Sequence, residues 1–319
     1  MIKQNRILII GGLGFIGKNL YLKLKNPSNL VHILSNVPLD NSDPFNEYVN
    51  GDDIIIGDIS DISTISDLIQ DYNVFFCLAG ISGAAESFKD PSMDIQTNLL
   101  GHLNILNACK EQNRSAQLIF PSSRLVYGKP EFLPVNERHP LNPESIYAIH
   151  KLTAEYYYQL YNKAYNLNTV VFRISNPYGP FQLFGHKKYG LLNWFIYKAF
   201  NNELIEIFGT GDQKRDYLFI EDLIELFIKS IGHSTVTGKV YNIGFGKGIS
   251  IVDMVKMIHE IVPETRYIYK DWPKIYKLIE TGDYVSDLKR IKHDTGWYPK
   301  TSFRDGVIKT IEFYKNHHE

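Results

Sequence analysis

The stretch RILIIGGLGFIGKNLYLKL, residues 6–24, joins a short apolar run to an amphipathic segment through a glycine-rich turn. The apolar run at 6–10 predicts a buried strand, and the amphipathic segment predicts a helix. Gly11, Gly14 and Gly17 stand three residues apart between them. Such a turn lets backbone N–H groups approach a pyrophosphate at the positive end of the following helix. The stretch therefore predicts a dinucleotide-binding unit.

Further apolar runs of strand length follow, separated by helical patterns. They are residues 31–34, 53–57, 74–79, 117–120 and 169–174. Near-continuous apolar strands that alternate with helices predict an α/β fold with a Rossmann-type, doubly wound parallel sheet. After about residue 175, glycines, prolines and aromatic residues break the pattern into shorter elements. We therefore expect a cofactor-binding domain at 1–175, joined by some later segments, and a smaller α/β substrate domain at 176–319.

The composition is that of an ordinary globular protein. The chain has 319 residues and a formal net charge of -1, which predicts neither a nucleic-acid nor a membrane partner. Cys77 and Cys109 lie in apolar contexts and are expected to be buried, reduced thiols. The histidines show no spacing typical of metal ligands, so we expect no metal site. No signal-peptide pattern is present, and we expect a cytoplasmic protein.

The end of the second predicted strand bears on the choice of cofactor. An acid that binds the adenosine ribose is usual there, whereas this chain has Ser35 and Asn36. No lysine or arginine occurs between Lys25 and Lys89, although a 2′-phosphate requires a cation in this region. The sequence therefore favours NAD over NADP. Asp58 follows the third strand, where it is placed either to bind the adenine amino group or to stand as a helix N-terminal acid.

A second motif, YAIHK at residues 147–151, places a phenol and an ammonium on one face of a predicted helix. Upstream stands PSSRLVYG at 121–128. Together with the glycine turn, these motifs make the chain resemble the extended short-chain dehydrogenase/reductase family, within it the nucleotide-sugar epimerases similar to UDP-galactose 4-epimerase. The resemblance runs nearly end to end. It includes GGLGFIG, LAG, TNLLGHLNIL, SSRLVYG, YAIHK, NPYGP, RDYLFIEDL and YNIGFG, in the family's order.

The resemblance implies roles for individual residues. Tyr147 is the expected catalytic base, and Lys151 holds the nicotinamide ribose and tunes the phenol. Ser123, or alternatively the neighbouring Ser122, binds the sugar oxygen. A phenol of pKa about 10 is a poor base, but an ammonium and a cationic nicotinamide both favour the phenolate. The implied cofactor-binding residues are Gly11, Gly14, Phe15, Ile16, Gly17, Ser35, Asn36, Asp58, Ile59, Leu78, Ala79, Gly80, Asn98, Ser122, Tyr147 and Lys151.

The substrate site is implied in the same way. Its expected residues are Ser82, Ser123, Tyr147, Asn176 and Arg215. Arg215 offers a forked cation for a diphosphate, or else it forms a structural ion pair with Asp216. Family epimerases often carry a second arginine near the C-terminus, but here Glu280 takes its place in ETGDYVSD. Either Lys274 or Lys277 replaces that arginine, or the substrate is bound differently. Loop 182–190 is a further candidate for contact with the substrate.

The expected function is an NAD-dependent 4-epimerase that acts on a UDP-hexose or UDP-N-acetylhexosamine through a transient 4-keto sugar. A 4,6-dehydratase normally has an Asp-Glu pair after the serine or threonine, whereas this chain has Arg124 and Leu125. A keto-sugar reductase that uses NAD(P)H and a non-enzymatic cofactor-binding protein stay open as alternatives.

We also expect a homodimer. The family pairs the helix that bears YxxxK with the preceding long helix, and Tyr156–Tyr158, Tyr161 and Tyr165 make the former unusually aromatic. The alternative is that these tyrosines belong to the core.

Overall fold

A computed structural model describes residues 5–182 and 190–317. Its strands are β1 (Asn5–Ile10), β2 (Asn29–Ser35), β3 (Ile54–Ile56), β4 (Val74–Cys77), β5 (Gln117–Ser123), β6 (Asn168–Ile174), β7 (Asn176–Tyr178), β8 (Leu204–Phe208), β9 (Lys214–Phe219), β10 (Val240–Ile243), β11 (Gly248–Ser250) and β12 (Arg266–Lys270). Its helices are α1 (Phe15–Leu24), α2 (Ile62–Leu68), α3 (Ala84–Ser87), α4 (Pro91–Ile95), α5 (Gly101–Gln112), α6 (Ile146–Tyr165), α7 (Leu191–Phe200), α8 (Ile220–Ser230), α9 (Ile251–Ile261), α10 (Lys274–Leu278), α11 (Lys289–Thr295) and α12 (Phe303–His317).

Seven parallel strands form the large sheet in the order β10-β6-β5-β4-β1-β2-β3. Alternate residues of β1 enter two different cores: Ile7 and Ile9 pack on one face of the sheet, and Leu8 and Ile10 on the other. A sheet that is buried on both faces requires apolar residues at every strand position, which explains the continuous apolar runs in the sequence. The predicted Rossmann-type sheet is confirmed.

The strand order reverses between β1 and β4. The chain proceeds outward from β1 to β3 and then returns to build the other half from β4. In open α/β sheets, ligands bind at the carboxyl ends of the strands at such a reversal. The glycine turn after β1 and the residues after β4 and β5 therefore lie at the place where this fold receives a cofactor.

The second half of the chain contributes to both parts of the molecule. β10 pairs with β6 at the edge of the large sheet, although it lies well beyond residue 175. β7, β9 and β11 form a three-stranded sheet, and β8 pairs with β12. The three-stranded sheet begins at the carboxyl end of β6, because β7 follows β6 almost without a loop.

Two further features bear on the sequence predictions. Cys77 and Cys109 are both buried and free, as predicted. In the described residues, no helix combines the length and the apolarity that crossing a bilayer requires.

Candidate active site

The glycine turn after β1 is fixed by close backbone approach. Gly11 has a φ of +81°, and a Cβ atom there would lie 2.5 Å from the backbone nitrogen of Ala79. A Cβ atom on Gly17 would lie 2.4 Å from the Cα atom of Gly12. Neither position accepts a side chain, because the atoms that it would meet are backbone. The turn is therefore held tightly against the loop that follows β4.

The N-terminus of α1 is open to an anion. Gly14 caps this helix without a side-chain hydrogen bond, and the first turn carries no acid. Phe15 and Ile16 begin the helix, so their backbone N–H groups face the turn. Such a bare N-terminus beside a glycine cradle fits the pyrophosphate of NAD.

The residues predicted for the adenosine end meet beyond β2 and β3. Asn36 donates from Nδ2 to Oδ2 of Asp58 at 3.2 Å, and the Ser35 hydroxyl donates to the carbonyl of Val37 at 2.8 Å. The backbone N–H of Ser60 donates to Asp58 and holds the pKa of its carboxyl below the usual range. Asp58 is not the cap of α2, a position that Asp61 takes. The Asp58 carboxylate therefore lies beside Asn36, and Ile59 next to it is buried.

Two lysines, Lys18 in α1 and Lys25 at its C-terminal cap, form ion pairs with acids that follow β2 in the chain. Lys18 is paired with Asp43, and Lys25 lies 2.6 Å from Oδ2 of Asp53. Because both cations have acidic partners, neither offers an uncommitted charge to a 2′-phosphate. This agrees with the choice of NAD made from the sequence.

Asn98 shapes the loop Leu78–Ala79–Gly80 that follows β4. It lies in a π-helical turn, Gln96–Leu100, and its buried amide exchanges two hydrogen bonds with the backbone of Ile81, at 2.9 and 3.2 Å. A Cβ atom on Gly80 would lie 2.7 Å from Oδ1 of Asn98 and 3.5 Å from Nζ of Lys151. π-Helical turns are frequent at functional sites. Here the turn holds the loop close to the ammonium of Lys151.

The three predicted catalytic residues come together at the carboxyl end of β5. Ser145 caps α6 by accepting a hydrogen bond from Ala148 N at 3.2 Å, so that Tyr147 and Lys151 lie on successive turns. The Ser123 side chain is hydrogen-bonded to the Tyr147 phenol. Lys151 is buried, and its ammonium donates to the carbonyl of Pro121 at 3.1 Å.

Burial governs the acid–base behaviour of this group. It raises the pKa of the Tyr147 phenol to about 12, and the charge of Asp94 adds to the rise, while the hydrogen bond with Ser123 opposes it. Burial also lowers the pKa of Lys151 to about 8, against the opposing pull of Asp94 and Glu155. In the protein alone the neutral phenol is therefore favoured. The positive charge of a bound cofactor would favour the phenolate, as the sequence analysis expects.

Sequence reasoning missed Asp94 and His150. His150 Nδ1 lies 2.6 Å from Oδ1 of Asp94, whose other oxygen is buried without a hydrogen-bond partner. His150 lies inside YAIHK, but its partner is 56 residues away and only the fold brings the two together. Ser87 was also missed, and its hydroxyl accepts the backbone N–H of Tyr147 at 3.1 Å.

The Ser122 hydroxyl points away from the catalytic residues. It donates to Glu155, a fully buried carboxylate that also pairs with Arg173 at 2.7 Å. Arg173 in turn donates to the Tyr127 hydroxyl at 2.9 Å. The side chain of Ser122 is thus part of a buried ionic network beneath the site, and any contact between this residue and a cofactor is left to its backbone.

The predicted substrate residues of β7 and β9 lie side by side. Asn176 donates to the carbonyl of Asp216 at 3.0 Å. Arg215 holds both oxygens of Glu280 at 2.6 Å. The alternative Arg215–Asp216 ion pair is wrong, because Asp216 instead accepts backbone N–H groups, among them that of Phe245 at 2.7 Å.

The other predicted substrate positions are less informative. Ser82 is exposed in the loop after β4. Lys274 and Lys277 lie on α10. Most of the candidate loop, residues 183–189, lies outside the described part of the chain.

Comparison with known proteins places this geometry in a family. A putative UDP-glucose 4-epimerase of Methanocaldococcus jannaschii is 32% identical over 317 residues, covering 97% of this chain and 98% of that protein. A dTDP-4-dehydro-6-deoxyglucose reductase of Escherichia coli is 30% identical, covering 97% and 98%. Dehydratases are also named among the relatives.

A solved structure is also similar to this chain. The UDP-glucose 4-epimerase of Thermotoga maritima, solved with UDP-glucose, is 26% identical, superimposes with a TM-score of 0.89 and covers 98% of this chain and all 100% of that one. Residues 7–244 match the sequence profile described as "NAD dependent epimerase/dehydratase family". The match spans the glycine cradle, the Tyr147–Lys151–Ser123 group and β10. This chain belongs to the NAD dependent epimerase/dehydratase family, and NAD is its cofactor.

Proposed function

We propose that this protein is a nucleotide-sugar 4-epimerase that acts on a UDP-hexose or UDP-N-acetylhexosamine. The observation that carries the proposal is the arrangement at the end of β5. Tyr147, Ser123 and Lys151 supply what oxidation and reduction at a sugar carbon require, whereas Arg124 and Leu125 lack the acid and base that eliminate water. The names of the relatives from M. jannaschii and T. maritima agree with this reaction and with a UDP-sugar.

The residues would act as follows. Bound NAD supplies a hydride acceptor and donor for sugar C4, held by the glycine cradle, Asn98 and Lys151. The Tyr147 oxygen takes the proton from the C4 hydroxyl as the hydride leaves carbon, and it returns that proton after the 4-keto sugar has turned its other face. Ser123 binds the same sugar oxygen throughout. The ammonium of Lys151 and the bound cofactor's positive charge lower the cost of forming the phenolate.

The decisive experiment uses purified protein without added cofactor. UDP-glucose and UDP-N-acetylglucosamine are incubated separately, and the product sugars are resolved by NMR. We expect interconversion of C4 epimers, with no steady change of absorbance at the reduced-nicotinamide band, because the same hydride is removed and returned. A reductase, the reaction named for the E. coli relative, would instead consume one NADH or NADPH per product and form no epimer.

We also propose a homodimer through α5 and α6. Ile149, Tyr156 and Leu160 form an exposed apolar stripe along α6, the last two being 54% and 55% exposed. Leu100, just before α5, is exposed as well. Tyr158, by contrast, is fully buried, so the core alternative holds for that residue.

The dimer is tested by light scattering at micromolar concentration. We expect twice the chain mass for the wild type and a monomer for Leu160→Lys. Lys256→Glu, at an exposed position of α9 and so outside the α5–α6 surface, serves as the control and should stay dimeric. A wild-type monomer would contradict the proposal.

A further inference from the structure

Arg124 is a buried cation beside the catalytic serine. It directly follows Ser123, its residue is 7% exposed, and its guanidinium lies 5.2 Å from the ring centre of Tyr284. Nη1 donates to the Thr281 hydroxyl at 3.0 Å. Within the described residues this side chain makes no other hydrogen bond, and neither of its two unbonded nitrogens is fully buried. Since an arginine carries five N–H donors, most of them remain available to a ligand.

The charges around Arg124 are unbalanced. Glu280, whose charge acts on Arg124, is engaged by Arg215 through both of its oxygens. The two arginines and one glutamate therefore leave one positive charge in a buried setting. Burial, together with the charge of Arg215, lowers the pKa of Arg124 to about 10. A buried cation without its own counter-ion is costly, and a ligand that supplies an anion removes that cost.

The position of Arg124 indicates which ligand groups it meets. Ser123 precedes it at the end of β5, where the sugar C4 oxygen is proposed to lie. Its guanidinium donates to Thr281 and is close enough to Arg215 to be affected by its charge, and both of these residues belong to the substrate half. Its guanidinium thus lies between the reacting sugar and the arginine that sequence reasoning assigned to the diphosphate.

We propose that Arg124 binds an anionic oxygen of the substrate, supplied either by the diphosphate or by a carboxylate on the sugar. The inference rests on the proposed nucleotide-sugar function. The family resemblance leads us to expect a second arginine at position 280, but this chain has Glu280 there, and Glu280 is paired with Arg215. Arg124 would supply the positive charge that is missing at that position. The competing explanation is structural: Arg124 would only anchor the Thr281 segment through its one hydrogen bond.

Calorimetry on the purified protein separates these explanations. The probes are UDP, UDP-glucose, UDP-glucuronic acid and inorganic pyrophosphate, and the variants are Arg124→Met, Arg124→Lys and Thr281→Val. A lost charged hydrogen bond corresponds to a decrease in affinity of roughly tenfold or more. We expect Arg124→Met to show that loss and Arg124→Lys a smaller one. Thr281→Val removes the anchor but leaves the cation, so its affinities should stay within about threefold of wild type.

The pattern of losses identifies the anion. An equal loss for all three nucleotides and for pyrophosphate assigns Arg124 to the diphosphate, whereas a loss confined to UDP-glucuronic acid assigns it to a sugar carboxylate. Wild-type affinities in Arg124→Met, or an equal loss in Thr281→Val, would overturn the proposal. If Arg124→Met does not fold, which a thermal melt reveals, the comparison of Arg124→Lys with Thr281→Val decides.

The proposed function can fail separately. Wild-type protein that binds pyrophosphate through Arg124 but binds no UDP compound would leave the inference standing and exclude UDP-sugars. Wild-type protein that binds none of the four probes would overturn the inference, whatever the outcome of the epimerase assay.

Discussion

Two regions of this protein are proposed to bind phosphate groups, and they offer different atoms for it. The cofactor cradle, Gly11–Gly17, presents backbone N–H groups and the bare start of α1, with no acidic side chain in its first turn. The substrate half presents side chains, Arg215 and Arg124, and one of these is already held by Glu280. A backbone site is fixed once the chain has folded, whereas a side-chain site depends on which partners compete for each cation.

The two regions should therefore respond differently to substitution. Replacing a glycine in the cradle forces a backbone clash, as the 2.4 Å approach at Gly17 shows. Replacing Glu280 releases the side chain of Arg215 and removes an acceptor for the backbone N–H of Gly282, without a backbone clash. The cradle therefore specifies a cofactor class, and the ion pairs of the substrate half adjust affinity and selectivity. Substitutions in both regions test this contrast, and the first concerns Tyr147, which the proposed reaction places between cofactor and substrate.

Tyr147→Phe should have the largest effect. The change removes only the phenolic oxygen, so fold and NAD content should survive while kcat falls by about two orders of magnitude or more. Measurement of kcat and of bound NAD on the same sample tests this. Tyr156→Phe, at an exposed position of the same helix, is the matched control and should be active. Near-wild-type turnover in Tyr147→Phe would make the assignment of the base wrong.

Gly17→Ala should come next, with a loss of bound NAD of roughly tenfold or more, because the added methyl group meets the backbone of Gly12 and distorts the cradle. The NAD content of the purified protein and its melting temperature give the readout. Gly51→Ala is the control, since a Cβ atom there meets nothing within 4 Å. Wild-type NAD content in Gly17→Ala would show that the cradle tolerates displacement.

These two predictions concern what the sequence already indicated. The first six strands of the large sheet were predictable because each is a continuous apolar run, and the cradle because its glycines are local to one turn. β10 was not, since Val240–Ile243 is four residues long and lies in a glycine-broken region. Its place beside β6 depends on pairing with a distant strand.

The side-chain partners could not be predicted for the same reason. Arg215 meets Glu280 across 65 residues, and Asp94 meets His150 across 56. No periodicity connects such positions, so sequence offered Asp216, the adjacent acid, as a partner for Arg215. Burial could not be predicted from the motif either. The motif suggests that Lys151 favours the Tyr147 phenolate, whereas desolvation raises the pKa of Tyr147 and lowers that of Lys151.

Glu280→Gln should have a moderate effect of opposite sign. Without the carboxylate, Arg215 is freed for a diphosphate, and the affinity for UDP should rise by about three- to tenfold. Calorimetry with UDP measures this, and Glu264→Gln, an exposed acid, is the control. An unchanged or weaker affinity would show that Arg215 is held away from the ligand by its bond to the Gly282 carbonyl at 2.8 Å instead.

Asp94→Asn should produce the smallest effect, a shift of the pH profile of kcat. The Asp94 carboxylate raises the pKa of both Tyr147 and Lys151, so its removal lowers both. Tyr147 then loses its proton more readily, and the acid limb moves to lower pH. Lys151, whose pKa is about 8, loses its charge earlier as pH rises, and the alkaline limb moves the same way. We expect a displacement of the whole profile by less than about one unit.

The displacement follows only if the charge of Asp94 reaches the site. Glu155 and Cys77 also raise the pKa of Lys151 and are unaffected by the change, so part of the field remains. Asp67→Asn, which removes an exposed carboxylate elsewhere, is the control and should leave both limbs in place. If the Asp94→Asn profile coincides with wild type, the charge of Asp94 does not reach the site, and the field at Tyr147 arises from other groups.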